Sequence, residues 1–398
     1  MRPVSAARFV LSLAAMTCAT LAAPMQGSPS KQRSGSPYSA WKRGPPTDPD
    51  WFPIGVWLQD PELARRYRDL GVNTFVGLWQ GPTEEQLRAV KAAGMRTLCV
   101  QNAVGLAWRD EPTIIGWLQL DEPDNREKGE KENRPRASPD EVLQNYARLR
   151  ATDPDRPVWL NLGQGVANES FKGRSATPAD YPRYAEGCDI LSFDVYPVTN
   201  IQREDGENYL WFVAKGLERL REWGGPEKIL WNFVECTRVG HETKKPTPAQ
   251  VEAEVWMSLV HGSRGIVYFC HEFKPTVNAD ALLDDAEMCA ALKRIDERVL
   301  RLAPVLNAPT VEDEVSFSAK GGPRDVGVLV KRWGKALYVL TVGMKNAPVE
   351  ATFLLRSKVG TKRVEVLDEG RMIELEGGVF RDAFQPYAVH LYRIGTGD

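Results

Sequence analysis

The sequence predicts a (β/α)8 barrel followed by a small all-β sandwich, and three observations carry that prediction. From residue 51 onward eight short apolar runs alternate with amphipathic segments, the pattern of βαβ units that build a parallel sheet. No Gly-rich GxGxxG turn follows the first run, which argues against an open dinucleotide-binding sheet. After residue 307 the pattern changes to short alternating segments separated by Gly, Lys and Asn turns.

The first strand is FPIGVW (residues 52–57), followed by a helical segment with Asp60 and Pro61 where an N-cap and first turn belong and Gly71 where a helix stops. The second strand, TFVGLW (74–79), leads to a helix opened by Thr83 and closed by Gly94. The third is RTLCVQN (96–102). The fourth is GWLQL (116–120), then a charged insertion and a helix from Ser138. PVWLNL (157–162), ILSFDVY (190–196), KILWNFVE (228–235) and GIVYFCHEF (265–273) complete eight strands, with helices expected over 209–223, 248–261 and 284–306. About 250 residues is usual for such a barrel, and 51–307 fits it. The segments EVSFSAK, VGVLVKRW, ALYVLTVG, VEATFLL, RVEVLD, MIELE and AVHLYRI then make the sandwich over 308–398.

The N-terminus has the basic, apolar, small-residue order of a signal peptide over 1–23, so an exported protein is expected, secreted or periplasmic. The AMTC stretch at Cys18 is a poor match to a lipoprotein signal, and no later run is long enough to span a bilayer. Residues 24–50, rich in Ser, Pro, Gly, Lys and Arg, read as a flexible linker. A net charge of -2 with both signs interspersed gives no electrostatic case for a nucleic-acid partner. Six cysteines without a CxxC pair and only four histidines point to no zinc site, and no cofactor is implied. Nothing in the sequence fixes an oligomeric state.

In such a barrel the reactive groups gather at the carboxyl ends of the strands. Those ends carry Trp57, Trp79, Gln80, Asn102, Asp121, Glu122, Asn161, Asp194, Tyr196, Glu235 and His271. Aromatic faces beside hydrogen-bonding groups suit a sugar, whose C–H faces stack while its hydroxyls need partners. Strands four and seven both end in Glu, and hydrolysing a glycosidic bond needs one carboxyl to protonate the leaving oxygen and a second to meet the charge at the anomeric carbon. On that reading Glu122 is the acid/base and Glu235 the nucleophile.

The DEP and FVE motifs, with the barrel and the tail, resemble the clan A glycoside hydrolases. The resemblance implies a retaining double displacement on β-linked glycans or glycosides, with Glu122 as acid/base, Glu235 as nucleophile and Tyr196 donating a hydrogen bond to that nucleophile. The clan usually has Asn before its acid/base, and this chain has Asp121. Two alternatives stay open: a non-catalytic carbohydrate-binding barrel, and a metal-assisted hydrolase with Asp121, Glu122, Asp194 and His271 as ligands.

Overall fold

The computed structural model describes residues 36–126, 134–201, 203–322 and 324–396. The expected signal peptide, residues 24–35 and residues 127–133 of the charged insertion after the fourth strand lie outside the described residues. Eight parallel strands close into a barrel in sequence order. They are β1 (Ile54–Trp57), β2 (Thr74–Val76), β3 (Arg96–Cys99), β4 (Ile114–Leu118), β5 (Val158–Leu162), β6 (Ile190–Phe193), β7 (Ile229–Glu235) and β8 (Ser263–Phe269). Closure is made by β1 on β8, where Val56 pairs with Tyr268.

The helical layer comprises α1 (Ala64–Asp69), α2 (Glu84–Ala92), α3 (Ala103–Ala107), α4 (Pro139–Thr152), α5 (Tyr181–Glu186), α6 (Phe212–Gly224), α7 (Pro248–Val260), α8 (Ala286–Arg301) and α9 (Ala303–Asn307). The starts of α2, α4 and α7 are written in the sequence as capping boxes, Thr83 with Gln86, Ser138 with Glu141 and Thr247 with Gln250. Each box satisfies amide groups that the first turn leaves unpaired.

Alternation along the strands divides the apolar residues between two cores. Leu230 and Val234 of β7 join the layer between sheet and helices, while Ile229, Trp231 and Phe233 fill the barrel interior. There Phe233 packs against Trp57 and Trp159 with ring centroids 5.4 and 5.9 Å apart. Gly265 of β8 makes room for this filling, because a Cβ there would lie 2.5 Å from the Trp231 ring.

Residues 36–50 are packed against the barrel, which corrects the expected flexible linker over that stretch. Tyr38 is 2 % exposed and joins the interior cluster. Its hydroxyl donates to the Arg264 carbonyl at 2.8 Å and accepts from Trp231 Nε1 at 2.9 Å. Composition misjudged this segment because two aromatic residues, Tyr38 and Trp41, carry its burial amid polar neighbours.

The C-terminal part forms eight strands: β9 (Val315–Ala319), β10 (Val326–Trp333), β11 (Ala336–Gly343), β12 (Val349–Leu355), β13 (Arg363–Val366), β14 (Arg371–Glu374), β15 (Val379–Phe384) and β16 (Val389–Gly395). They make one sheet in the order β10-β11-β16-β13-β14 and another in the order β15-β12-β9. Seven of the eight are legible from alternation. The missed strand, β15, carries Arg381 and Asp382 in its middle, and Asp382 accepts from Arg371 Nη2 at 2.7 Å and the Tyr392 hydroxyl at 2.8 Å. Leu340, Val342 and Leu391 of this unit share the apolar cluster of the barrel's helical layer, so the two parts have a common core. Among the described residues no helix is long and apolar enough to cross a membrane.

Replacing Tyr38 by Ala should lower unfolding stability by about 3–5 kcal/mol, as for other buried aromatics. Tyr38→Phe should cost about 1 kcal/mol, because the Trp231 indole then lacks its acceptor. Urea denaturation of the two variants beside wild type measures both.

Candidate active site

The chain beyond β4 is fixed before it reaches its carboxylates. Gln119 donates to the carbonyls of Val142 and Gly187 at 3.0 and 2.9 Å and accepts from Asn145. Two residues further on, consecutive side chains of a strand would face opposite ways. Glu122 instead adopts a left-handed backbone, φ 46°, with its amide on the Asn161 carbonyl at 3.0 Å, and both Asp121 and Glu122 line one cleft. Asp124 then anchors the loop, accepting from the Gly163 amide at 2.8 Å and the Tyr181 hydroxyl at 3.1 Å.

The cleft has a volume of about 940 Å³ and lies at the carboxyl ends of the strands. Its walls carry Trp57, Trp79, Phe171, Tyr196, Phe233, Phe269 and Phe273. Trp79 and Phe273, 64 % and 51 % exposed, stand free at the rim. Left-handed backbone at Leu58, Glu122 and Val239, with φ near 45–49°, recurs around the same cleft. Non-glycine residues hold such conformations only where the surroundings enforce them, and they concentrate at functional sites.

Asp194 follows β6 and meets Asp121 and Glu122 in this cleft. It is 9 % exposed, with Glu122 and Tyr196 as its side-chain neighbours. Burial, then the neighbouring charges of Glu122 and Asp121, hold its carboxyl well above the usual range. Burial and the charge of Glu122 push Asp121 up to about 7, against a hydrogen bond from Asn161 Nδ2 at 3.1 Å. Asn161 is itself oriented, since the Ser192 hydroxyl donates to its Oδ1 at 2.9 Å and turns its amino group toward Asp121. The cation that approaches is Arg136, whose Nη1 lies 4.0 Å from Glu122 Oε2. The Tyr196 hydroxyl is buried beside Asp194, and burial, then the Asp194 charge, holds its pKa well above the usual range.

Glu235 does not join them. Although it ends β7, the loop after β6 folds over it, and its carboxylate accepts from the Val198 amide at 2.6 Å, the Thr199 amide at 3.1 Å and the Thr199 hydroxyl at 2.5 Å. It has no exposed surface and does not line the cleft. Behind it lies Glu254 of α7, also fully buried. Burial pushes Glu235 up to about 7 in spite of these hydrogen bonds, and holds Glu254 well above the usual carboxylate range. Glu235 therefore anchors a loop and lies away from the cleft lining, where the sequence reading expects it.

Of the other expected residues, Trp57, Trp79, Asn161, Asp194, Tyr196 and His271 line the cleft. His271 Nε2 lies 3.0 Å from the Trp57 carbonyl, and its ring is parallel to Phe273. Gln80 and Asn102 do not line it: Gln80 is exposed, and Asn102 caps α3 through the Gly105 amide at 2.8 Å and donates to the Pro82 carbonyl. Sequence reading missed Gln59, whose buried amide lies 3.1 Å from His271 Nε2, although its place just past β1 in VWLQD was a signal. It also missed Phe171 and Asn200, which sit in long loops without a pattern. Among the described residues no group of three or more His, Cys, Asp or Glu side chains is arranged to hold a metal ion, so the metal-assisted alternative has no ligand set here.

No protein-family model matches the sequence, and no curated protein matches it. Solved structures do match. AmyP in complex with maltose aligns at TM-score 0.54 and 10% identity, covering 88% of this chain and 98% of that one. The α-amylase of Geobacillus thermoleovorans complexed with acarbose gives 0.52 and 9%, covering 87% and 98%. The maltogenic α-amylase AmyB of Thermotoga neapolitana gives 0.51 and 9%, covering 87% and 99%. The likeness is one of fold. It spans the (β/α)8 barrel and the antiparallel sheets that follow it, the architecture that the clan A resemblance implied.

Asp121 binds its proton more tightly folded than unfolded, so the stability it contributes is present at acid pH and lost as pH rises from about 4 through about 7. Asp121→Asn should therefore raise Tm by a few degrees at pH 8 and leave it nearly unchanged near pH 4. Thermal melts across that range check the sign.

Proposed function

We propose that the protein is a glycoside hydrolase that takes a carbohydrate into the aromatic cleft and cleaves it with the Asp121, Glu122 and Asp194 carboxyls. The observation that carries this reading is the gathering of three carboxyl groups at the open end of the barrel, with Arg136 at 4.0 Å from Glu122. Glycoside hydrolysis needs one carboxyl protonated and another ionised in the same cleft. Crowded like charges supply that division, since they cannot all ionise near neutral pH.

Glu122, reaching into the cleft, takes the acid/base role, as in the reading from sequence. Asp121, held by Asn161, takes the nucleophile role in place of Glu235. In a retaining double displacement the Asp121 carboxylate attacks the anomeric carbon while Glu122 protonates the departing oxygen. Glu122 then draws a proton from water as that water opens the Asp121 ester. Adjacent residues favour the short separation of about 5 Å used for retention over the gap of about 6.5–9.5 Å that accommodates an inverting water. Asp194 keeps a proton in the group before substrate arrives. Trp79 and Phe273 supply stacking surface at the rim. The linkage is left open: the resemblance suggested β-linked substrates, whereas two of the similar structures reported above are named α-amylases. Export rests on the leader-like residues 1–23.

A panel of α- and β-aryl glycosides and oligosaccharides, with product anomers followed by NMR, tests this reading. Asp121→Asn, Glu122→Gln and Asp194→Asn should each lower kcat by about 10²- to 10⁴-fold. Glu235→Gln should reduce stability yet keep kcat of the folded protein within about tenfold of wild type. A 2-fluoro glycosyl inhibitor should leave its adduct on Asp121. An adduct on Glu235 would refute this assignment, and sugar binding without turnover in wild type would instead support the non-catalytic binding barrel.

A further inference from the structure

The chain between β6 and α6 brings Asp194, Tyr196 and Asn200 to the cleft, and it is held at two places. Its inner part is fixed by the barrel, where the Val198 amide, the Thr199 amide and the Thr199 hydroxyl all donate to Glu235. Its outer part is fixed by the sandwich. The Tyr387 hydroxyl, from the turn between β15 and β16, donates to the Glu207 carbonyl, and Asn346 Nδ2, from the turn after β11, donates to Asn208 Oδ1 at 3.1 Å. The two parts meet at Gly206, where an added Cβ would lie 2.1 Å from the Pro197 carbonyl oxygen. Pro197 directly follows Tyr196, so a displacement of residues 206–208 is passed to residues that line the cleft.

Tyr387 is placed to serve this contact. Its backbone is left-handed, φ 60°, which a non-glycine residue keeps only where its surroundings enforce it. The turn is tied to the end of β11 by the Tyr387 amide on the Lys345 carbonyl at 3.2 Å and the Gly343 amide on the Ala388 carbonyl at 2.8 Å. The Tyr387 ring is buried in the apolar cluster of the barrel's helical layer, with Leu340, Val342 and Leu391. The sandwich has its own core elsewhere, around Phe353, Phe380 and Tyr392.

We propose that the β-sandwich braces one wall of the cleft, with Tyr387 as a positioning residue that sets Asp194 and Tyr196. For its effect on catalysis the inference rests on the hydrolase reading above, and it gives the sandwich a part in that same site. Tyr387 does not line the cleft and acts through Glu207, Gly206 and Pro197.

Amide hydrogen exchange read by mass spectrometry, together with steady-state kinetics on the glycan panel, tests this in the full chain. In Tyr387→Phe the peptide spanning 194–201 should exchange at least about tenfold faster than in wild type. The peptide spanning 119–126, which carries Asp121 and Glu122, should keep its wild-type rate. The same variant should lower kcat about tenfold with KM within about threefold, the mark of a misplaced reacting group. Gly206→Ala should reproduce both effects from the barrel side. Tyr392→Phe removes a hydroxyl bonded to Asp382 within the sandwich, and it should lower Tm without altering exchange over 194–201. Unchanged exchange over 194–201 in Tyr387→Phe, or equal acceleration in Tyr392→Phe, would overturn the proposal. Wild-type kcat in Tyr387→Phe removes the brace and leaves the hydrolase. If wild type cleaves no glycan, the hydrolase reading falls and the exchange rates alone decide the brace.

Discussion

Three carboxyl groups share a cleft whose lining, among the described residues, holds no lysine or arginine, and much of the surrounding structure can be understood as what keeps them there. Gathering like charges away from water is unfavourable, and an unconstrained loop would relieve it by turning one side chain out. Here that relief is blocked from both directions. Gln119 and Asp124 pin the chain on either side of Asp121 and Glu122, and the left-handed turn at Glu122 aims its side chain at the cleft. Asp194 is tied through its amide to the Leu162 carbonyl at the end of β5. The barrel interior, filled by Trp57, Trp159, Trp231 and Phe233 and closed at residues 36–50 by Tyr38, gives these strand ends a rigid base.

The energetic tension has a chemical use. A carboxyl pushed up to about 7, as Asp121 is, exchanges its proton near neutral pH, which an exposed Asp at its ordinary pKa does not. Stability withheld at neutral pH is the form in which a site of this kind stores its reactivity, and such trade-offs are common where function needs strained or crowded groups.

Glu122 and Glu235 demonstrate how one motif leads to two outcomes. Each follows an apolar run, Glu235 as the last residue of β7 and Glu122 in the loop just past β4. Around Glu235 the loop after β6 supplies two amides and a hydroxyl, so its oxygens are occupied inside the protein. Around Glu122 the chain supplies a backbone turn and leaves the carboxylate facing open volume. The difference lies in residues 198 and 199, which are more than thirty positions away from Glu235 in sequence.

The eight barrel strands, the capping boxes of α2, α4 and α7 and most of the sandwich were legible from sequence, because periodicity and caps are local properties of the chain. So was the cleft's general chemistry, since strand ends in a barrel converge on one face whatever their side chains. Tertiary structure alone decided which of those polar ends meet. Asp194 became a partner of Asp121 and Glu122, and Glu235 a loop clamp, because loops remote in sequence chose which carboxylates to satisfy. Hydrogen-bond satisfaction is a property of three-dimensional neighbours, and no pattern along the chain records it.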